Sequence, residues 1–526
     1  MPAPVFNVLD GAGVIGGTKI LVQSGKTTLL LDFGTNFFQS KKYFEEYLKP
    51  RASKGLLDAV ELGLLPPVPS LYRQDLMPPG VDPWRGQVHP KLAKVHVDAV
   101  VITHAHLDHC GHLSYVRQDI PVIATIETAF LMKAIQDTSK GDLEKDICSC
   151  VPREAKDGVL KPGHWKTQAA TQRTFLTLEG LTLSADAAGF WANPLGSRPL
   201  VSRSIQQVKA VGDVVMNSYP VDHSIPGCAG FALETNEGWV AYTGDIRLHG
   251  AKGELSRKFA EEVSRLKPKI LFCEGTRVSR LEEEEVITEA DVKERASTVI
   301  KGTRGLVIAD FGSRNLERLS TFRDIAADCG RQLVLMPRDM HLLKAHQLAS
   351  REGLDPALDP ALLVYQEEKS SESTADKTIF ATYSQKLTNS GEISRKQGQF
   401  ILCFSFWDLN ELIDIRPGPE SVYIYSSSEA YDEEQMADMQ RLRNWLDHFG
   451  ITALGVPDPE TGRPIPGETG LHASGHAATK DLLELIDVIN PEILVPVHTE
   501  LPEYFSEYYG RSRTVIIPTA LEPLAV

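Results

Sequence analysis

The sequence predicts an α/β protein with two differently patterned regions, and three observations support this fold class. Up to about residue 275 the chain carries short strand candidates, among them TKILV, TTLLLDFG, VDAVVIT and RTFLTLEGLTLS, and a hairpin candidate at CAGFALET-NEG-WVAYTGD. From Glu274 onward strands alternate with helices, which favours βαβ units and a parallel sheet. Beyond about residue 460 the tail returns to a strand candidate, EILVPVH, flanked by helices.

These patterns predict a domain with two layers of sheet over 1–275, a second domain over 276–460, and a segment over 461–526 that completes the first domain. The second domain is then an insertion, which is permitted because chain ends and loop ends often lie close together at domain surfaces. The acidic run at 282–285 is expected to be a solvated turn before a helix, since Thr288 and Asp291 have the spacing of a capping box.

Composition limits the function classes that need to be considered. With 42% hydrophobic and 24% charged residues the chain is an ordinary globular protein, and its net charge of −15 argues against a broadly basic nucleic-acid coat protein. The charge does not exclude an enzyme that binds a polyanion locally. Seven scattered cysteines without a CxxC pair indicate reduced thiols and a cytoplasmic location. No secretion signal or membrane span is predicted.

A cluster of metal-capable residues lies in THAHLDHCGH, at 103–112, directly after the strand candidate VDAVVIT. The sharp turns of such a loop let side chains two and three residues apart converge on one point. Imidazole and carboxylate groups are common zinc ligands, and a catalytic zinc keeps a position open for water. His104 and His106 suit one metal, and Asp108 with His109 suits a neighbouring one.

Two metals need more ligands than one loop supplies. Three candidates each follow an apolar run, where a ligand on the rim of a sheet would lie: His223 after VMNSYPVD, Asp245 in YTGD and His498 after EILVPV. Taken singly, each could be an ordinary capping or surface residue. Taken with the histidine loop, they are predicted ligands.

The order of these residues, together with Asp32 in LLLDFG, resembles the metallo-β-lactamase fold. The segment from Glu274 onward, with CEGT, LHASGHA and PVHTE, resembles its β-CASP branch, the nuclease group that includes RNase J and the pre-mRNA 3′-end cleavage endonuclease. The resemblance implies an αββα sandwich with an inserted β-CASP α/β domain that has a parallel sheet. It further implies two Zn²⁺ ions, with Mn²⁺ as the alternative metal, one held by His104, His106 and His223, the other by Asp108, His109 and His498, and Asp245 bridging them.

The resemblance also implies the catalytic groups of a phosphodiesterase. Two metals about 3.5–4 Å apart can generate a hydroxide nucleophile and stabilise charge on the phosphate oxygens. His476 in ASGHA is the expected general acid for the leaving 3′ oxygen, and Glu274 is expected to hold it. Asp32 is expected to orient a ligand or the attacking water, because ligating histidines usually donate their other nitrogen to such a group.

Polar loops beside the predicted strand and helix ends are the expected substrate contacts. Ser313, Arg314 and Asn315 lie at a helix start, where free N–H groups and the helix dipole favour phosphate; the alternative is that Ser313 is a plain N-cap. His472 and the pair Ser474–Gly475 are further candidates, and His472 could equally be structural. Contacts to phosphate position a strand without reading its sequence.

Other features predict structure rather than chemistry. His112 and His249 lie near the predicted metals but outside the expected ligand positions, so we expect them to be outer-sphere or structural. GAGVIGGT lacks a complete nucleotide-binding motif and indicates a tight turn between the first strands. Cys148 and Cys150 form a C-x-C pair that is more typical of buried small residues than of a zinc site.

The leading functional hypothesis is a two-zinc enzyme that cleaves RNA, as a 5′-to-3′ exoribonuclease with endonuclease activity left open. Three alternatives remain: a single-strand DNA nuclease of the same mechanism, a small-molecule esterase or thioesterase on the same metal platform, and a nucleic-acid-binding scaffold with a dead site. The expected partner is single-stranded RNA or DNA, no membrane is involved, and a homodimer is left open. Insertions at 36–97 and 140–175 could narrow the active-site mouth or form an oligomer contact.

Overall fold

The computed structural model describes residues 3–45, 47–86, 88, 90–139, 141–278, 286–352 and 355–525. The acidic run at 282–285 lies outside these residues. The helix expected after it is present as Glu289–Gly302, and the capping box between Thr288 and Asp291 is formed. The described strands form three seven-stranded sheets, one three-stranded sheet and a two-stranded hairpin.

The first sheet begins with antiparallel strands and continues with parallel ones. Its strands, in spatial order, are Val5–Asp10, Lys19–Ser24, Thr27–Leu31, Ala99–Val101, Val122–Ile123, Phe175–Thr177 and Gln206–Gln207. The parallel central strands read as short apolar runs because both of their faces are buried.

The second sheet joins distant parts of the chain. Its strands, in spatial order, are Ala210–Val211, Val214–Pro220, Ala229–Thr235, Gly238–Tyr242, Ile270–Cys273, Ile493–Pro496 and Thr514–Val515. Ile270–Cys273 pairs in parallel with Ile493–Pro496, so the tail of the chain completes a sheet that the first half begins.

The first two sheets pack face to face, which confirms the predicted sandwich. Alternate side chains of each strand point to opposite faces, so Ile20 and Val22 enter the space between the sheets, where they join Leu29 and Leu31 in one buried apolar cluster. The rings of Phe6 and Phe272, one from each sheet, lie 6.1 Å apart in this cluster. Burying such side chains contributes about 25 cal/mol for each Å² of apolar surface removed from water.

The third sheet is parallel throughout, as the alternation of strands and helices predicts. Its strands, in spatial order, are Leu387–Thr388, Leu362–Tyr365, Gln332–Leu335, Phe400–Leu402, Val307–Asp310, Val422–Tyr425 and Thr452–Leu454. All of them lie between residues 276 and 460. The small sheets consist of Leu200–Val201, Ala170–Gln172 and Ser149–Cys150, and of Arg153–Lys156 with Val159–Pro162.

Helices cover the sheets and connect the strands. The described α-helices are Phe37–Lys41, Leu57–Glu61, Leu107–Cys110, Ile126–Thr138, Ala185–Ala192, Gly253–Leu266, Glu289–Gly302, Leu316–Asp328, Pro337–Ser350, Thr374–Thr382, Ser390–Arg395, Leu412–Ile415, Glu433–Phe449, Thr479–Ile489 and Glu503–Tyr509. Over the described ranges, none of these is both long and apolar enough to span a membrane.

One strand candidate is shorter than its sequence suggests. In RTFLTLEGLTLS only Phe175–Thr177 forms a strand. Beyond this strand the Glu179 carboxylate accepts a hydrogen bond from the backbone N–H of Ile126, at 2.9 Å, at the first turn of the helix Ile126–Thr138. This contact satisfies one of the free N–H groups of that helix end.

Candidate metal centre

The histidine loop connects the strand Ala99–Val101 to the short helix Leu107–Cys110. Backbone hydrogen bonds fix it from two sides: the N–H of Phe33 donates to the carbonyl of His109 at 2.8 Å, and the N–H of Gly17 donates to that of Asp108 at 3.1 Å. His104 and His109 are fully buried. The loop is therefore held rigidly before any ligand binds.

A first group of side chains combines two residues of this loop with one from elsewhere. The Nδ1 atom of His106 lies 3.1 Å from Nε2 of His104 and 3.1 Å from Nε2 of His223. The Oδ2 atom of Asp245 lies 3.7 Å from the same two Nε2 atoms. Three imidazole nitrogens and one carboxylate oxygen thus surround one point.

A second group lies beside the first and shares Asp245. Nε2 of His109 lies 3.1 Å from Oδ2 of Asp245 and 3.7 Å from Oδ2 of Asp108. Nε2 of His498 lies 3.4 Å from Oδ2 of Asp108 and 3.8 Å from Oδ1 of Asp245. The ligand atoms of His104, His106 and His223 lie within 4.8 Å of one another, and so do those of Asp108, His109, Asp245 and His498.

The chemistry of these groups fits divalent metal ions. Oδ1 of Asp245 and Nε2 of His109 are buried without a hydrogen-bond partner, which is costly for a protein unless another ligand satisfies them. Buried imidazole nitrogens with a shared carboxylate are the donors that zinc prefers, and manganese accepts them as well. The seven predicted ligands lie together as two adjoining donor sets.

Four of the predicted ligand histidines are oriented through their second ring nitrogen. Nδ1 of His109 donates to Oδ2 of Asp32 at 2.8 Å, and Nδ1 of His223 donates to the carbonyl of Gly475 at 2.5 Å. The other two pairs are His104 with the hydroxyl of Thr103, at 3.0 Å, and His498 with the hydroxyl of Thr276, at 2.9 Å. These contacts leave the facing nitrogens available for metal.

Asp32 is held by several groups at once. Besides His109, its carboxylate accepts from the backbone N–H of Thr103 at 2.8 Å and from the hydroxyl of Tyr242 at 2.8 Å. Asp32 has φ of 53°, a conformation that aspartate and asparagine tolerate better than most residues. Its side chain is buried and contacts the histidine loop at Thr103 and His109.

Electrostatics set the protonation of the site. Burial lowers the pKa of His104 and His106 well below the usual histidine value, and it lowers the pKa of His223 to about 4, so these rings are neutral. Burial opposes the charged forms of Asp108 and Asp245 most strongly, but the surrounding histidines, His109 first and then His498, together outweigh it and hold both carboxyl pKa values below the usual range.

His476 lies at the edge of the two groups and is held by Glu274. Its Nδ1 lies 3.0 and 3.1 Å from the two carboxylate oxygens of Glu274, and its Nε2 points toward Oδ2 of Asp245, 4.0 Å away. Burial opposes the charge on the ring, but Glu274 and Asp245 outweigh it and raise the pKa of His476 to about 9. The ring is therefore protonated near neutral pH.

The other expected substrate residues lie in two places. His472 and Ser474 line a cavity of about 360 Å³ together with Arg277, Tyr425 and Tyr431. The carbonyl of Gly475 orients His223, and a Cβ at Gly475 would lie 3.1 Å from Cε1 of that histidine. Gly475 thus has a positioning role that the sequence did not indicate.

The loop before the helix Leu316–Asp328 approaches the metal groups through Arg314. Burial lowers the pKa of this arginine, whereas the nearby Asp108 favours its charged form. The charge of Arg314 in turn lowers the pKa of His106. The N-cap is Asn315, whose Oδ1 accepts from the N–H of Arg318 at 2.9 Å, so the expectation that Ser313 is the cap is wrong. Ser313 is exposed beside it.

Several residues that position the site were not singled out from the sequence. Thr103, Tyr242 and Thr276 hold ligands or Asp32. Gly16, with φ of 84°, places its α-carbon so that a Cβ would lie 3.2 Å from Cβ of Asp108. The sequence signal for this packing is the glycine-rich GAGVIGGT, which predicts a tight turn but does not indicate close packing against Asp108.

The remaining minor expectations concern histidines and cysteines. His112 lies outside the two donor sets and packs against the rings of Phe33 and Tyr115, at 6.2 and 5.8 Å. Nε2 of His249 lies 2.9 Å from the carbonyl of Ser474, so this ring contacts the loop before His476 and lies outside both donor sets. Cys148 and Cys150 are buried free thiols.

Comparisons with known proteins agree with this geometry. The family model of the metallo-beta-lactamase superfamily matches residues 90–276, and that of the Zn-dependent metallo-hydrolase RNA specificity domain matches residues 468–508. The two regions contain the histidine loop, Asp245 and Glu274 on one side and His476 and His498 on the other.

Curated relatives with the printed name Ribonuclease J are similar at low identity. The protein of Corynebacterium glutamicum is 23% identical over 84% of this chain and 50% of its own length. The protein of Sinorhizobium meliloti is 24% identical over 84% of this chain and 63% of its own length. The Pyrococcus abyssi protein is 24% identical over 58% of this chain and 63% of its own. The chain thus spans between half and just under two thirds of these relatives.

A solved structure supports the fold alone. The crystal structure of a protein of unknown function from Enterococcus faecalis superposes with a TM-score of 0.67 at 20% identity, and the match covers 100% of both chains.

Proposed function

We propose that this chain is a metallo-β-lactamase-superfamily enzyme, a two-zinc phosphodiesterase that cleaves single-stranded RNA; the family matches over residues 90–276 and 468–508 support this. The observation that carries the proposal is the arrangement of His476 and Glu274 beside two donor sets that share Asp245. The names of the relatives favour RNA over DNA as the polymer.

The donor sets would hold the metals as follows. His104, His106 and His223 would bind one ion, Asp108, His109 and His498 the other, and Asp245 would bridge them. When bound, two such ions supply the activation of a water and the positive charge that phosphodiester hydrolysis requires. Asp32 keeps Nδ1 of His109 protonated, so the opposite nitrogen is presented to the metal.

His476 acts as the general acid in this proposal. The departing 3′ oxygen is a poor leaving group, and a proton delivered to it contributes about 10²–10⁴-fold to the rate. Glu274 holds Nδ1, so the proton that leaves is the one on Nε2, on the side that faces Asp245. Two backbone N–H groups, from Ile246 at 2.8 Å and Thr276 at 3.1 Å, keep the Glu274 carboxylate in place.

The substrate would be held by polar groups at the edge of the site. Arg314 supplies positive charge near Asp108, and His472, Ser474 and Gly475 offer donors beside His476. We assign Ser313 and Asn315 to the same phosphate-contacting loop. None of these groups reads a base edge, so cleavage is expected to depend little on sequence.

The domain division also belongs to the proposal. We assign residues 1–275 and 461–526 to the metallo-β-lactamase domain and residues 276–460 to an inserted β-CASP domain. The support is that the third sheet uses only strands between 276 and 460, whereas Ile493–Pro496 pairs with Ile270–Cys273. The substrate then binds where the inserted domain meets the metal groups.

One experiment tests polymer type, direction and end preference together. RNA and DNA oligonucleotides labelled at either end, with a 5′-monophosphate, triphosphate or hydroxyl, are incubated with the zinc-loaded protein. We expect RNA to be shortened from the 5′ end, while a ladder of internal products would indicate endonuclease activity. Cleavage of DNA alone would favour the DNA nuclease, and cleavage of neither polymer would overturn the proposal.

A further inference from the structure

A buried network of ion pairs lies between the third sheet and the two donor sets, and the proposed catalytic mechanism does not use it. Its centre is Glu289, the first residue of the helix Glu289–Gly302, whose side chain is 5% exposed. Oε1 of Glu289 accepts from Arg247 at 3.0 Å and from Arg318 at 3.0 Å, and Oε2 accepts from Nε of Arg318 at 2.9 Å. The side chains of both arginines are fully buried.

Each arginine also reaches the loop that carries His476. Residues 471–476, here called the acid loop, have no helix or strand of their own. Arg318 donates to the carbonyl of Leu471 at 3.4 Å, and Arg247 donates to that of Ser474 at 3.4 Å. The two ends of the acid loop are thus tied to the same glutamate through two guanidinium groups.

Ser426 reinforces one of these ties. Arg318 donates to its carbonyl at 2.8 Å and to its hydroxyl, and that hydroxyl donates to the carbonyl of Leu471. Nδ1 of His472 lies 3.4 Å from the same Ser426 carbonyl. Ser426 follows the strand Val422–Tyr425, so the third sheet contacts the acid loop directly.

Arg247 extends the network to a predicted metal ligand. Its Nε lies 3.2 Å from Oδ2 of Asp222, the residue before His223, and its Nη2 contacts Glu317. His223 in turn donates to Gly475 of the acid loop. One connected set of charges therefore links the inserted segment, the acid loop and the first donor set.

From these contacts we infer that Glu289 is a positioning residue: it sets the place of His476 by holding the acid loop through Arg247 and Arg318. The inference rests on the proposed function, in which His476 protonates the leaving 3′ oxygen. It makes the general acid depend on residues 276–460, which supply Glu289, Arg318 and Ser426. Among the residues that the structure describes, neither donor set takes a ligand from that segment.

The physical reason is the cost of an unpaired buried charge. Arg247 also pairs with Asp222 and Glu317, but Glu289 is the only carboxylate among the described residues that pairs with Arg318, so its loss leaves the buried Arg318 charge without compensation. The carbonyls of Ser426 and Leu471 do not provide that charge, so Arg318 would turn toward water and release the acid loop at Leu471. Without its ties the loop would present His476 over a range of positions, and proton transfer requires hydrogen-bond distance.

The test compares Glu289→Gln with wild-type protein on two RNA oligonucleotides. One is unmodified, and in the other sulfur replaces the bridging 3′ oxygen at the scissile bond, so that the leaving group departs as a thiolate without needing a proton. We expect kcat on the unmodified RNA to fall about 10- to 100-fold with little change in KM, as for a weakened general acid. On the sulfur substrate the variant should approach wild-type kcat.

His476→Ala is the positive control, since it should show the same rescue by sulfur. Asp146→Asn is the matched stability control: it removes a buried carboxylate that lies 3.4 Å from the buried Arg73 and makes no hydrogen bond to the acid loop. It should leave the ratio of the two kcat values unchanged. If Glu289→Gln fails to fold, the same two substrates are compared with Ser426→Ala, which removes only a hydroxyl from the network.

The outcomes separate the inference from the function on which it rests. Equal losses of kcat on both substrates in Glu289→Gln or Ser426→Ala, with metal content unchanged, would overturn the positioning role while leaving the nuclease intact. A rise in KM alone would also overturn it and would assign Glu289 to substrate binding. Wild-type protein that cleaves neither RNA would overturn the proposed function.

Discussion

Nδ1 of His109 and Oδ2 of Asp32 lie 2.8 Å apart, between a loop of the metal centre and the end of the strand Thr27–Leu31. This contact places a carboxylate behind a predicted ligand and fixes which ring nitrogen faces the metal. It also links two residues 77 positions apart in the chain.

Replacing that carboxylate should weaken metal binding without changing the backbone. Asp32→Asn keeps the left-handed conformation, which asparagine tolerates, but its amide cannot hold the Nδ1 proton of His109 as strongly. We expect metal affinity to fall about 10- to 100-fold. Competition with a chromophoric chelator measures it, and an affinity equal to wild type would contradict the role of Asp32.

Removing one predicted ligand should lower the number of metal ions bound to each chain. Gently purified wild-type protein should contain close to two zinc or manganese ions for each chain. His498→Ala removes a ligand of the second donor set only and should lower the content toward one ion. The exposed His96 provides the control, because His96→Ala should leave the metal content unchanged. Absence of metal from the wild-type protein would refute the proposed centre.

A methyl group at Gly475 should disturb the first donor set. In Gly475→Ala the new Cβ would lie 3.1 Å from Cε1 of His223 and 2.9 Å from the hydroxyl of Ser224, so one of them must move. We expect reduced occupancy of the first metal, measured by metal analysis after dialysis. Gly302→Ala is the control, because no atom lies within 4 Å of its added Cβ, and full metal content in both variants would contradict the prediction.

Loss of the Glu274 charge should slow catalysis while leaving metal bound. Glu274→Gln keeps the shape of the side chain but removes the charge that raises the pKa of His476. We expect kcat to fall about 10²-fold or more, as general acid catalysis is worth 10²–10⁴-fold, with metal content near wild type. A kcat within a factor of two of wild type would remove Glu274 from the mechanism.

Protein stability should depend on pH through Asp310, which lies at the end of a strand in the third sheet. Burial raises the pKa of Asp310 to about 7, even though the hydroxyl of Tyr423 donates to it at 2.5 Å. The folded protein therefore binds this proton more tightly than the unfolded chain. The contribution to stability is complete below about pH 4, where both states are protonated, and it is lost as the pH rises to about 7.

Asp310→Asn cannot lose a proton, so its stability relative to wild type should improve between pH 4 and 7 by on the order of 2–4 kcal/mol. Denaturant unfolding at several pH values measures the difference. Asp157→Asn changes a carboxylate with 71% side-chain exposure and should show no such trend. A constant difference between Asp310→Asn and wild type across this range would show that the carboxyl is ionised throughout.

Local patterns predicted most of the elements. The strands Lys19–Ser24 and Thr27–Leu31, the hairpin Ala229–Thr235 with Gly238–Tyr242, and the alternation after Glu274 all follow from apolar periodicity and turn residues. The strand predicted at RTFLTLEGLTLS is longer than the strand Phe175–Thr177 that forms. The contact of Ile126 with Glu179, beyond that strand, joins residues 53 positions apart, so local periodicity does not indicate it.

By itself the sequence determined which residue types could bind metal and that they follow strands, because ligand chemistry and strand periodicity are written in short segments. Only the tertiary structure decided that His104, His223 and His498 meet at one place, that Asp245 is shared, and that Glu274 holds His476. Those relationships depend on how the two sheets of the sandwich and the third sheet are arranged in the fold. Glu289, Arg247 and Arg318 show the same limit of the sequence. Their residue types are typical of a protein surface, and only the packing shows that they are buried and must pair with one another.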